Sequence, residues 1–129
     1  MRAHRSSKTA AGIAATRAAE AARPLAERLC DDPYAVHFLS PGFRLLRSIP
    51  PVRAYLRRRN DRRLPGMVGA IVARTRFMDD HLLAAVANGV EQLVILGAGY
   101  DCRAYRFGAI REKGIRVFQG GPGRSGQQG

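Results

Sequence analysis

Two hydrophobic periods divide the chain: up to Asn88-Gly89 apolar residues recur at helical spacing, and from Gln92 they cluster in short continuous runs. Residues 9–29 are dominated by Ala, Arg, Glu and Leu, all good helix formers, with Pro24 as the interruption. Two helices, or one broken near Arg23, are predicted. Asp31-Asp32-Pro33-Tyr34 offers capping carboxylates and a proline suited to a first helical position, so a short helix is expected through Leu39, with Ser40-Pro41-Gly42 ending it. Over residues 43–63, Phe43, Leu45, Leu46, Ile49, Val52, Tyr55 and Leu56 are threaded through eight arginines, and Pro50-Pro51 breaks any continuous helix. Pro65-Gly66 turns the chain before an apolar stripe of Met67, Ile71 and Val72. Asp79 or Asp80 is placed to cap a further helix, whose Leu82, Leu83 and Val86 face inward until Asn88-Gly89 closes it.

Leu93-Val94-Ile95-Leu96 is the pattern of a strand buried on both faces. A polar, Arg-containing stretch, a turn at Gly114 and a second β-like run, Ile115-Arg116-Val117-Phe118, follow. Strand, helix, strand is the order of an α/β parallel sheet, although two strands cannot complete a sheet covered on both sides. Residues 119–129 hold five glycines in eleven positions and no apolar side chain, which predicts a disordered tail that adds no strand.

With 129 residues the chain holds one domain at most. Its 46% apolar content includes 20 alanines, so the core is small. A net charge of +12 implies attraction to polyanions at low salt without naming a partner. No run approaches a membrane span of about 18 apolar residues, and the opening MRAHRSSKTAAG lacks the apolar stretch of a secretory signal; a cytoplasmic protein without membrane association is expected. Cys30 and Cys102 match no metal or redox spacing, so two reduced thiols and no metal site are expected.

Gly97-Ala98-Gly99 directly follows the first strand. Glycines there allow a tight turn and close approach of a ligand, but the third glycine of a dinucleotide fingerprint is replaced by Cys102. A nucleotide-like ligand and a ligand-free turn both fit this motif taken alone. By spacing alone, Arg74 and Arg76 read as a solvated helix face, Asp79 and Asp80 as caps, and Tyr105 and Phe107 as core.

Three segments in order, DDPYAVHFL (31–39), ARTRFMDDHL (73–82) and VILGAGYDCRAYRF (94–107), resemble the S-adenosylmethionine-dependent methyltransferases of the leucine carboxyl methyltransferase-like family, in particular its actinobacterial branch. The resemblance runs from Ser7 to Phe118. It implies a class I methyltransferase, that is a Rossmann-like α/β fold, truncated to an N-terminal fragment: a helical cap region at 1–90, the first strand–helix–strand at 91–118 with only the first two strands of the parallel sheet, and the tail at 119–129. It also implies S-adenosyl-L-methionine as cofactor and O-methylation of a carboxylate or hydroxyl on a small-molecule acceptor. Gly97, Ala98 and Gly99 then match the turn beneath the cofactor, Asp101 the acid after it, Arg74 an arginine that pairs with the methionyl carboxylate, and Arg17 a further cationic contact. A planar guanidinium suits the carboxylate role. No catalytic residue is identified, in keeping with a reaction that rests mainly on alignment.

The chain departs from the family after Phe118. The family continues there with an acidic motif that holds ribose hydroxyls, whereas Gln119-Gly120-Gly121-Pro122 follows here and no Asp or Glu occurs after Glu112. A frameshift in GC-rich coding DNA would produce such a change of composition. Little or no methyltransferase activity is expected of the chain alone, and a separately encoded C-terminal half would be a natural partner. The alternative reading is a small basic nucleic-acid-binding or interaction protein working through the arginines at 44–63; with only Phe43 and Tyr55 to stack bases and no nucleic-acid motif, it is the weaker one.

Overall fold

The computed structural model describes residues 8–120 and 126–128. The chain divides into two compact units, residues 1–76 and 77–129. The described part of the first comprises α1 (Lys8–Ala21), a 3-10 turn (Ala35–Phe38), α2 (Pro41–Ser48), α3 (Pro50–Arg63) and the opening of α4 (Met67–Ala87). The second comprises the rest of α4, then β1 (Gln92–Leu96), α5 (Arg103–Arg106), α6 (Gly108–Glu112), β2 (Arg116–Gly120) and β3 (Gly126–Gln128).

In the first unit α1 stops ahead of Pro24, whose ring disfavours helical geometry in the residue before it, and residues 22–29 form turns in place of a second helix. The buried apolar side chains, Leu39 apart, are small: Ala14, Cys30, Ala35 and Val72. Asp32 caps the 3-10 turn as expected, its Oδ1 accepting the Ala35 N–H at 3.1 Å. Ser40-Pro41-Gly42 does more than end that turn. The Ser40 hydroxyl accepts the Phe43 N–H at 3.4 Å, Pro41 takes the first helical position, and α2 begins. Pro50-Pro51 separates α2 from α3 as the pattern predicts, because proline is accommodated only in the first turn of the new helix.

α4 is one helix of 21 residues, not two. Asp79 and Asp80 cap nothing; they sit in its interior. Gly89, at φ 89°, ends it with the Val90 N–H bonded to the Ala85 carbonyl at 3.2 Å and the Gly89 N–H to that of Val86 at 3.3 Å.

The second unit is built on β1 and β2, parallel from Gln92 opposite Arg116 to Leu96 opposite Gly120. The expected α/β arrangement with one parallel strand pair is therefore present. Val86, Ile110 and Ile115 form its buried core, with Leu82, Leu93, Phe107, Ala109 and Val117 packed against them. Burying each such aliphatic side chain contributes roughly 1.5–3 kcal/mol. β1 is not covered on both faces. Leu93 faces the core while Val94 and Leu96 are 59% and 84% exposed, since α4 and α6 residues pack on one side of the pair. Tyr105, expected in the core, is exposed, whereas Phe107 packs there.

The tail departs from expectation where it is described. Gln119 and Gly120 complete β2, and β3 pairs with β2 antiparallel, Val117 opposite Gln128 and Gln119 opposite Gly126. Backbone donors and acceptors along an open strand edge can pair with a segment that has no apolar side chain to offer. The disorder predicted for residues 121–125 and 129, and the N-terminal reading that rests on residues 1–7, lie outside the described residues. Among the described residues no helix is long and apolar enough to cross a membrane.

Candidate functional site

β1 delivers the chain into Gly97-Ala98-Gly99. Gly97 (φ 61°) and Gly99 (φ 50°) both occupy the left-handed region, where a side chain costs about 1–2 kcal/mol. A Cβ built on Gly97 would meet nothing within 4 Å. Glycine is thus required by the course of the backbone, and the space beside Gly97 is open. The Ala98 N–H donates to the Gly120 carbonyl at 3.3 Å, tying the turn to the end of β2, and the Asp101 N–H closes back on the Ala98 carbonyl at 2.6 Å.

Behind the turn lies a chain of nearly buried charges. Asp101 Oδ1 accepts the Arg103 N–H at 2.9 Å, and its Oδ2 is held by the Arg103 guanidinium. Arg103 Nε donates to Asp79 Oδ1 at 2.7 Å, and Arg106 Nη2 reaches Asp79 Oδ2 at 2.6 Å. These four side chains are 6–12% exposed. Burial alone would lower the Arg103 pKa, but the charge of Asp101 and the charge and hydrogen bond of Asp79 outweigh it, so the guanidinium is held above its ordinary value. Arg106 also lies over the Phe107 ring at 4.5 Å, within cation–π range. Asp79 on α4 is therefore tied through Arg103 to the residue that ends the glycine turn.

The structure brings Gly97, Ala98, Gly99 and Asp101 together in the second unit, while Arg17 and Arg74 belong to the first. Arg74 is exposed on α4 and makes no ion pair among the described residues. Arg17 is buried on α1, 3.3 Å from Asp32 Oδ2. The open backbone beside Gly97 fits close approach of a flat ring, and the exposed guanidinium of Arg74, taken by itself, fits a carboxylate. The end of β2 fits less well, offering Gln119 and Gly120 where a ribose would want an acid. Asp79, Arg103 and Arg106 were not legible as site residues. The available signal was the three-residue spacing of Arg103 and Arg106, which puts both guanidiniums on one helical side. Cys30 and Cys102 are both buried, and neither is in a disulfide. Among the described residues no group of three or more His, Cys, Asp or Glu is placed to hold a metal.

A family model described as leucine carboxyl methyltransferase matches residues 10–119. A Frankia alni protein is 46% identical over 111 residues, covering 86% of this chain and 37% of its own length. Proteins of Streptomyces coelicolor and Streptomyces avermitilis are 41% and 42% identical with the same coverage. All three carry names that describe inferred S-adenosyl-L-methionine-dependent methyltransferases. The chain thus spans just over a third of the length of these relatives.

Proposed function

The chain belongs to the leucine carboxyl methyltransferase family, and on that premise we propose that it supplies the cofactor turn of an S-adenosyl-L-methionine-dependent O-methyltransferase. The observation that carries the reading is the pair of left-handed glycines at the end of β1, Gly97 and Gly99, with open space beside Gly97. Gly97, Ala98 and Gly99 pass beneath the cofactor, Asp101 steadies the turn from its far end, Arg74 pairs with the methionyl carboxylate, and Arg17 is the second cationic contact, with Asp32 sharing its charge. The cofactor supplies a sulfonium methyl group as electrophile. The protein's part is to hold that group in line with a carboxylate or hydroxyl oxygen of a small acceptor and to keep water away. A carboxylate acceptor needs no strong base, which agrees with the lack of a recognisable triad.

By itself the 129-residue polypeptide turns over little or nothing on this reading. Val94 and Leu96 stand exposed on β1, and the strand end that should hold the ribose has no acid. A separate polypeptide that covers the open face of β1 and supplies the missing acid would be the partner, in the cytoplasm. Calorimetric titration of S-adenosyl-L-methionine and of its demethylated product into the full chain tests the cofactor assignment. Saturable binding weakened by Arg74→Ala is expected. Absence of heat from a chain that melts cooperatively would overturn the assignment, and measurable turnover with labelled cofactor would overturn the inactivity.

A further inference from the structure

The arginines of this protein fall into two kinds. Arg17, Arg23, Arg28, Arg103 and Arg106 each have a carboxylate partner. None of the eight arginines at 44–63 forms an ion pair among the described residues. Five of these eight, Arg47, Arg53, Arg57, Arg59 and Arg63, line one open cleft of about 690 Å³ in the first unit, walled by α1, α2, α3 and the start of α4. The acids on the same wall do little to compensate. Glu20 and Glu27 are both engaged by Arg23, leaving Asp61 against five cations.

Arg47 is the informative member. It is half-buried, and its Nη1 donates to the Ala15 carbonyl at 2.6 Å, which fixes the side chain across to α1. Burial first, and then the charge of Arg53, hold its pKa below the ordinary arginine value, the reverse of Arg23, which Glu20 raises. A guanidinium fixed in place and crowded by like charge is stabilised when an anion arrives between the two. Phosphate oxygens suit several convergent guanidiniums because each fork can donate two hydrogen bonds.

We propose that this cleft is a binding site for a small ligand carrying two or more phosphate groups. One phosphate leaves most of the five charges unmet. A long nucleic-acid strand would call for stacking platforms, yet Phe43 is the aromatic side chain on the wall and Arg47 already lies over its ring at 5.8 Å. The volume is within the roughly 300–1,000 Å³ of small-molecule sites. The site draws nothing from the methyltransferase reading and stands if that reading fails.

The test is calorimetric titration of inorganic tripolyphosphate into the full chain at about 0.15 M salt, where exposed charges more than about 8 Å apart are largely screened. Saturable 1:1 binding is expected, weakened roughly tenfold or more by Arg53→Gln/Arg57→Gln, whose side chains are exposed and whose loss leaves the fold intact. Arg47→Gln should weaken binding as much, with circular dichroism confirming its helix content. Arg111→Gln/Arg116→Gln, which removes the same two charges from exposed positions of the second unit, should leave it unchanged. Equal weakening by every arginine removed, or no saturation, would mean a diffuse counterion effect and overturn the proposal. So would tighter binding of a single-stranded oligonucleotide than of tripolyphosphate.

Discussion

Arg103 and Arg58 carry the same charge in opposite settings. The first is clamped between Asp101 and Asp79 with 8% of its surface exposed, and the second stands on a helix that buries no residue at all. Taking a guanidinium out of water is costly, so the buried one exists only because its partners return that cost. The exposed one gives and takes little. Charge count therefore says almost nothing about what an arginine does here; the carboxylates around it decide.

That contrast can be broken from its strong side first. Asp79→Ala takes a carboxylate from Arg106 and leaves Arg103 with Asp101, and a loss of about 3–5 kcal/mol is expected from urea denaturation. A loss below about 1 kcal/mol would mean that the clamp is solvated and the contrast only apparent. Next comes Asp32→Asn, which keeps an acceptor for the Ala35 N–H but removes the charge facing Arg17. It should cost about 1–3 kcal/mol, the range for leaving a buried polar group without its partner. Ser40→Ala, which removes the α2 cap and touches no ion pair, should cost about 1 kcal/mol and calibrates what a local feature is worth. At the weak end, Arg58→Gln should change stability by less than about 0.5 kcal/mol. Arg53→Gln should be slightly stabilising at low salt, because its charge bears on Arg47, and the gain should vanish near 1 M salt, where the screening length is about 3 Å. A destabilising Arg53→Gln would show that α3 holds a partner for this side chain in solution.

Much of the local structure was legible in the sequence because it depends on residues close together. Pro50-Pro51 and Asn88-Gly89 end helices, Asp32 caps a turn, and the LVIL run gives a strand, each through rules that span a few positions. The glycine turn was legible for the same reason, since positive φ selects glycine wherever the fold lies. What escaped was set by partners distant along the chain. Asp79 looked like a cap because a lone carboxylate beside another is usually one, and only Arg103, 24 residues later, makes it an anchor. Val94 and Leu96 read as buried because an apolar run states what a strand can tolerate, not what lies against it. β3 was invisible in a segment of Gly and Gln because strand pairing runs through backbone groups that every residue carries.

Two guanidiniums sharing the carboxylate of Asp79 also set how this stretch of sequence can drift over generations. A change at Asp79 takes a shared carboxylate from both cations at once, so positions 79, 103 and 106 are bound to change together or stay as they are. A change at Arg58 leaves no such debt and can come alone. Aligned relatives should then show correlated replacement at the first three positions and independent replacement along α3, a difference in inheritance that follows from who holds whose charge.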